Sequence, residues 1–273
     1  MLDRLIHKYL GLPYLLSVDF KKVKKPKGTV VFLHGIGNRK EVWRPVIDKL
    51  GENINIISID LLGSGSSPRP NWNVYKVAYQ SRSVMATYLK LGVRGKVIFV
   101  GHSLGSLVAI DIAKRYPSFV RSLILCSPPI FNNLTTDRAS RIYQDKVLKS
   151  IYKIIKRKPT QFAKVIEPAV KLKLVNKVFD VNIHNIDVNF KTLEMTIMNQ
   201  TSFEDASKLN MPIDIIHGAF DPLVVLGNLK DLTKENSNIK LESVPAGHEI
   251  LGAMEKALVS KINFVLESKN DKR

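Results

Sequence analysis

Gly101-His102-Ser103-Leu104-Gly105 places a serine hydroxyl between two glycines, where the apolar run KVIFV (96–100) gives way to a helical pattern, SLGSLVAIDIAKRY (103–116). Strand, sharp turn and helix around G-x-S-x-G lift a serine above a sheet edge, at a helix N-terminus whose N–H groups and dipole favour developing negative charge. The serine is expected at positive φ, with glycines flanking it because side chains there would strike the neighbouring strand or helix. This context sets aside the alternative of a chance G-x-S-x-G in a turn. A serine hydroxyl is a poor nucleophile at neutral pH and needs a positioned base. The chain has six histidines: His7, His34, His102, His184, His217 and His248. His248, in VPAGHEILG between the last apolar run and the last helical pattern, is the candidate base, against the alternative of a solvent-exposed loop histidine. His102 lies inside the turn and is expected to point away from the hydroxyl as structural support. His34 and His217 end strands before glycines and are expected to hydrogen-bond loops, and His184 to be a surface residue.

A base of this kind needs a carboxylate that accepts its Nδ1–H, fixes its tautomer and stabilises the imidazolium. Asp221, in HGAFDPLV after a strand lying between serine and histidine, is placed for this. Asp214 within that strand and Asp231 on the following helix are read as solvated. The developing oxyanion needs N–H donors, and the loop His34-Gly35-Ile36-Gly37-Asn38 offers a glycine-bearing backbone beside the serine turn. The expected donors are the backbone N–H groups of Ile36 and Leu104, each such donor being worth about 3–4 kcal/mol of transition-state stabilisation. A second glycine-rich segment, DLLGSGSSPRP (60–70), lacks a following GK[ST] and fits no dinucleotide fingerprint, so it is read as a structural loop. No cofactor and no metal are expected, and Cys126 reads as a core residue rather than a thiol nucleophile.

These groups require elements to hold them. The runs TVVFLH (29–34), NINIISID (53–60), KVIFVGH (96–102), SLILCS (122–127) and MPIDIIHG (211–218), with a weaker IKLESV (239–244), are continuously apolar, as strands buried on both faces of a parallel sheet read. Helical patterns at 43–50, 74–92, 103–116, 224–236 and 249–269 alternate with them, predicting a doubly wound α/β sheet with right-handed crossovers. Residues 129–209 break the rhythm with helical patterns at 138–156, 159–175 and 188–199. They are expected to form a lid over the carboxyl edge of the sheet, where ligands bind in open α/β folds. The domain reading is therefore a core of residues 1–128 and 210–273 with a helical lid at 129–209.

HGIGN, DLLGSGSSPRP, GHSLGS, HGAFDPLV and AGHE together resemble the α/β-hydrolase superfamily, in particular its small lid-bearing members, over residues 29–128 and 210–268. The order Ser103, Asp221, His248 is the order of that fold's triad. The resemblance implies a mostly parallel sheet with a helical lid inserted after the sixth strand and two antiparallel N-terminal strands, of which LLSVDFKKV (15–23) supplies one clear example. It implies a serine hydrolase cleaving a carboxylic ester of a small molecule through an acyl-enzyme. Carbon–carbon hydrolysis of a vinylogous diketone, perhydrolysis, thioester cleavage and a non-catalytic receptor are the alternatives. A serine at 103 argues against the haloalkane dehalogenase and epoxide hydrolase branches, which use an aspartate nucleophile.

The chain's 273 residues, 45% hydrophobic and 24% charged, suffice for a full core without staples, and a single cysteine excludes an internal disulfide. The apolar runs are strand-sized, short of the ~20 residues a bilayer requires, and Lys8 and His7 interrupt any signal-like region, so a cytoplasmic protein is expected. The net charge of +18 is spread as +5 over residues 1–28, +8 over 29–128, +5 over 129–205 and zero over 206–273. Without a recognition motif this spread predicts no nucleic-acid partner, and KKVKKPK (21–27) reads as a solvated strand end and loop. Leu2, Leu5, Ile6, Tyr9 and Leu10 share one helical face near Arg4 and Lys8. Such a stripe is expected to dock on its own domain, with contact of residues 1–12 to an anionic lipid surface as the alternative.

Overall fold

The computed structural model describes residues 2–72, 75–132 and 185–268. Seven strands form one sheet: β1 (Val18–Lys21), β2 (Thr29–Leu33), β3 (Asn55–Ile59), β4 (Val97–His102), β5 (Val120–Cys126), β6 (Ile213–Gly218) and β7 (Ile239–Val244). Their order is β1-β3-β2-β4-β5-β6-β7, and all pairs are parallel except β1 with β3. Every residue of β2, β3, β4 and β6 is buried, which is why these strands read as unbroken apolar runs.

Helices cover both faces. The helices are α1 (Arg44–Ile47), α2 (Val77–Lys90), α3 (Leu104–Arg115), α4 (Ile186–Thr196), α5 (Ser202–Ala206), α6 (Leu226–Glu235) and α7 (Ala253–Glu267). Side chains alternate across the sheet: Val31 and Leu33 of β2 join the core under α2, α3 and α6, while Val30 and Phe32 join the core under α1 and α7. In α7, Met254, Leu258 and Ile262 are fully buried at helical spacing. Truncating Leu258 to alanine is expected to cost about 2–5 kcal/mol in transfer and cavity terms.

Local departures from the sequence reading have local causes. The predicted helix at 43–50 is a 3-10 turn, Lys40–Trp43, that runs into a single α turn. The last helix starts at Ala253 rather than 249, because Gly252 stands at φ +58 in front of it. The inserted segment follows the fifth described strand rather than a sixth, since one antiparallel strand, β1, stands where the resemblance implied two. Of the three insertion helices expected, α4 corresponds to the third; those at 138–156 and 159–175, and His184, lie outside the described residues. Residues 21–27 are exposed except the half-buried Val23, as read.

Candidate active site

Ser103 joins β4 to α3 at φ 50° and ψ −117°, a left-handed conformation few non-glycine residues adopt. The turn is locked from several sides. The Ser103 N–H donates to the Cys126 carbonyl at 3.0 Å, the Ser106 N–H donates back to the Ser103 carbonyl at 2.9 Å, and the Ser106 hydroxyl donates to the Gly101 carbonyl at 2.9 Å. Gly105 must be glycine because a Cβ there would run into the Leu33 carbonyl oxygen, so α3 starts hard against the end of β2. Leu104, the first residue of α3, is buried.

The HGIGN loop lies on this turn. A Cβ on Gly35 would stand 3.1 Å from the Ser103 Cβ and 3.0 Å from His102 Nδ1. The loop is held by His34, whose Nδ1–H donates to the Gly35 carbonyl at 2.7 Å and whose Nε2 accepts from the Leu61 N–H at 3.0 Å. Both ring nitrogens are thereby satisfied in the neutral form, and burial pushes the pKa down. Ile36 is half-buried and packs on the core.

Asp221 and His248 meet across two loops, with His248 Nδ1 at 2.8 Å from Asp221 Oδ2. The loops close on each other because β6 ends in Gly218, where a Cβ would collide with the Gly247 carbonyl. The Ala219 and Phe220 N–H groups donate to the Val244 and Ala246 carbonyls at 2.8 and 2.9 Å. Burial alone would push the Asp221 carboxyl up. The hydrogen bond and charge of His248, with the bond from the Leu223 N–H, outweigh it and hold the group below the usual carboxylate range. An anionic Asp221 beside Nδ1 leaves His248 Nε2 free to accept a proton.

The remaining predicted residues sort as follows. The His102 Nε2–H donates to the His248 carbonyl at 2.8 Å. His217 lies with Nδ1 3.4 Å from the Ser243 hydroxyl of the neighbouring strand. Asp214, read as solvated, is instead buried and ion-paired to Lys261 of α7 at 3.0 Å, because its alternating position in β6 faces that helix. Asp231 is partly exposed and pairs with Lys234. Cys126 is buried, which raises its thiol pKa far above the usual range.

The loop at 60–70 is structural. The Asp60 carboxylate accepts from the Lys40 and Ser66 N–H groups at 2.7 and 2.9 Å and lies 3.5 Å from the Lys40 ammonium. Gln80 clamps both backbone groups of Leu62 at 2.8 and 2.9 Å. Sequence reasoning passed over Ser127, at φ 46° with a buried hydroxyl facing Asp221. It also passed over the contact of Asn38 Nδ2 with Glu249 at 3.5 Å, which ties the HGIGN loop to the residue after His248. The available signal for Ser127 was a polar residue ending a buried strand immediately before Pro128-Pro129.

Sheet, turn and loops are those of an alpha/beta hydrolase. The alpha/beta hydrolase fold family model matches residues 28–252, and the chain belongs to that family. It is 24% identical over 256 residues to the monoacylglycerol lipase ABHD6 of Mus musculus, covering 87% of this chain and 75% of that protein. It is 30% identical over 116 residues to the probable lysophospholipase BODYGUARD 2 of Arabidopsis thaliana, covering 41% of this chain. The chain spans about a quarter of the length of that relative and of its BODYGUARD 4 and 1 counterparts, 25%, 27% and 24% respectively. Among solved structures, an esterase of Thermogutta terrifontis superposes with TM-score 0.70 at 17% identity, covering 92% of this chain and 93% of that one. A hydrolase of Pseudomonas aeruginosa superposes with TM-score 0.72 at 18% identity, covering 93% and 94%.

Proposed function

We propose that the protein is a serine hydrolase that cleaves a carboxylic ester of a small molecule. The observation that carries this reading is the 2.8 Å contact of His248 Nδ1 with Asp221, on a loop bonded to the turn that holds Ser103. His248 Nε2 takes the hydroxyl proton as Ser103 Oγ attacks the ester carbonyl carbon. The carbonyl oxygen gains the negative charge and is met by the N–H groups of Ile36 and Leu104. Collapse expels the alcohol, which receives the proton from His248. Water then adds to the acyl-enzyme, giving one proton to His248, and the acid leaves as Ser103 recovers its hydrogen. Asp221 holds the ring and balances the imidazolium in both halves. No cofactor or metal enters this sequence. The names of the lipase and lysophospholipase relatives favour a fatty acyl ester, and the segment inserted between β5 and β6 is assigned the choice of chain length.

The test is hydrolysis of p-nitrophenyl esters from acetate to decanoate by wild type and Ser103→Ala, with fluorophosphonate labelling alongside. Turnover that falls at least about 10⁴-fold in the variant, together with labelling of Ser103, is expected. Neither turnover nor labelling in the wild type would overturn the reading in favour of a binding protein.

A further inference from the structure

The amino-terminal segment is built the wrong way round for a helix that docks on its own domain. Asp3, Arg4 and His7 tie the segment to the body of the protein, although Asp3, Arg4 and Lys8 are themselves exposed. Asp3 accepts from the Tyr14 hydroxyl at 2.9 Å and from the Trp72 indole at 3.4 Å, and Arg4 donates to Asn71 at 3.4 Å. The His7 ring stacks on Tyr14 with centroids 3.7 Å apart, and Arg82 donates to the Gly11 carbonyl at 2.6 Å. Its apolar groups face outward. Leu2, Leu5, Tyr9, Leu10, Leu12 and Leu15 are exposed, from 46% at Leu15 to 71% at Tyr9. Outside this segment the large exposed hydrophobics among the described residues are only Leu89, Phe220 and Phe264, so the patch is a concentrated one. Of the stripe expected to dock on its own domain, Leu2, Leu5, Tyr9 and Leu10 are exposed and Ile6 is half-buried, and among residues 2–15 Tyr14 is the buried hydrophobic side chain.

Its place in the fold is specific. β1 runs antiparallel to β3, pairing Val18 with Ile59, so the residues before Val18 emerge at the carboxyl edge of the parallel strands. That is the edge at which β4 delivers Ser103. Arg4 and Lys8 are exposed within the segment, while Asp3 is engaged by Tyr14 and Trp72. The whole chain carries +18, which attracts anionic surfaces. The lysines of 21–27 follow β1 toward the opposite edge and take no part.

We infer that residues 2–15 form a docking surface for an anionic lipid bilayer, with the leucines entering the headgroup–acyl boundary and the Ser103 edge turned toward the membrane. Among the described residues no helix is long and apolar enough to cross a membrane, so the contact is interfacial. The inference goes beyond the hydrolase reading, and it is decided by binding, not by turnover.

The experiment is co-sedimentation of the full chain with vesicles of phosphatidylcholine alone or mixed with phosphatidylglycerol. Wild type is compared with the triple variant Leu5→Asp, Leu10→Asp, Leu12→Asp, with thermal unfolding as the check on folding. Wild type is expected to sediment with the mixed vesicles, less so with phosphatidylcholine alone or in added salt. The folded triple variant should partition at least about tenfold more weakly, having lost three leucines from the boundary. Equal sedimentation of both forms, or none by the wild type, overturns the inference. So does lipid-free self-association of the wild type that the same substitutions abolish, which would assign the patch to a second copy of the chain. Should the triple variant unfold, the single variant Leu10→Asp replaces it with the same outcomes at smaller amplitude.

Discussion

The His102 Nε2–H donates to the backbone carbonyl of His248 at 2.8 Å, and the two imidazoles stand 5.0 Å apart, centre to centre. A residue inside the serine turn thus holds the loop of the candidate base through its main chain, leaving the His248 side chain to Asp221. Because a carbonyl only accepts, the bond assigns the His102 proton to Nε2 and leaves Nδ1 bare.

That neutral ring makes stability pH-dependent. Burial, with the His248 charge adding to it, pushes His102 down to about 3 from an ordinary 6.5. Between these values the unfolded chain binds a proton that the native state excludes, so stability is lost as pH falls. The slope is about 1.4 kcal/mol per pH unit from this one group. His102→Gln keeps a donor toward the His248 carbonyl without the titration. Denaturant unfolding between neutral pH and mild acid should show a shallower decline in the variant, and parallel declines would refute the assignment.

Asp221→Asn should keep the fold and lose about 10⁴-fold in kcat, because the amide can donate to His248 Nδ1 and stabilise the wrong tautomer. Burst and steady-state kinetics on the best p-nitrophenyl ester measure this. A loss of less than tenfold would assign the orienting role to another carboxylate.

Ser103 stands at φ 50° and ψ −117°, a conformation that costs a non-glycine residue about 1–3 kcal/mol. Ser103→Gly is therefore expected to unfold at higher denaturant than Ser103→Ala, by about 1 kcal/mol after the entropy of the unfolded glycine is counted. Both should be inactive. A glycine variant less stable than the alanine variant would place the strain elsewhere.

Asp60→Ala should destabilise by about 3 kcal/mol, since it leaves the nearly buried Lys40 ammonium without its closest buried carboxylate and frees the N–H groups of Lys40 and Ser66. Asp60→Asn should be milder, its amide oxygen still accepting from that backbone. Equal losses in chemical denaturation would show that charge, not the loop's hydrogen bonds, is what matters.

The serine turn and the buried strands were legible in the sequence because both are written in neighbouring residues. An unbroken apolar run specifies a strand buried on both faces, and glycines at 101 and 105 specify how closely α3 approaches β4 and β2. The pairing of Asp221 with His248 was expected from the sequence, whereas the partner of Asp214 was not legible. Asp214 and Asp221 lie seven positions apart in one stretch of chain, yet one meets Lys261 of α7 and the other His248. Strand alternation and the closeness of Gly218 to Gly247 decided that, and both depend on elements packed from elsewhere. The same holds for the N-terminal leucines. Their spacing in sequence marks an apolar face, but whether that face is covered depends on what the rest of the chain leaves over it. Here Tyr14, Trp72 and Arg82 take the polar side of the segment, and solvent is left with the other.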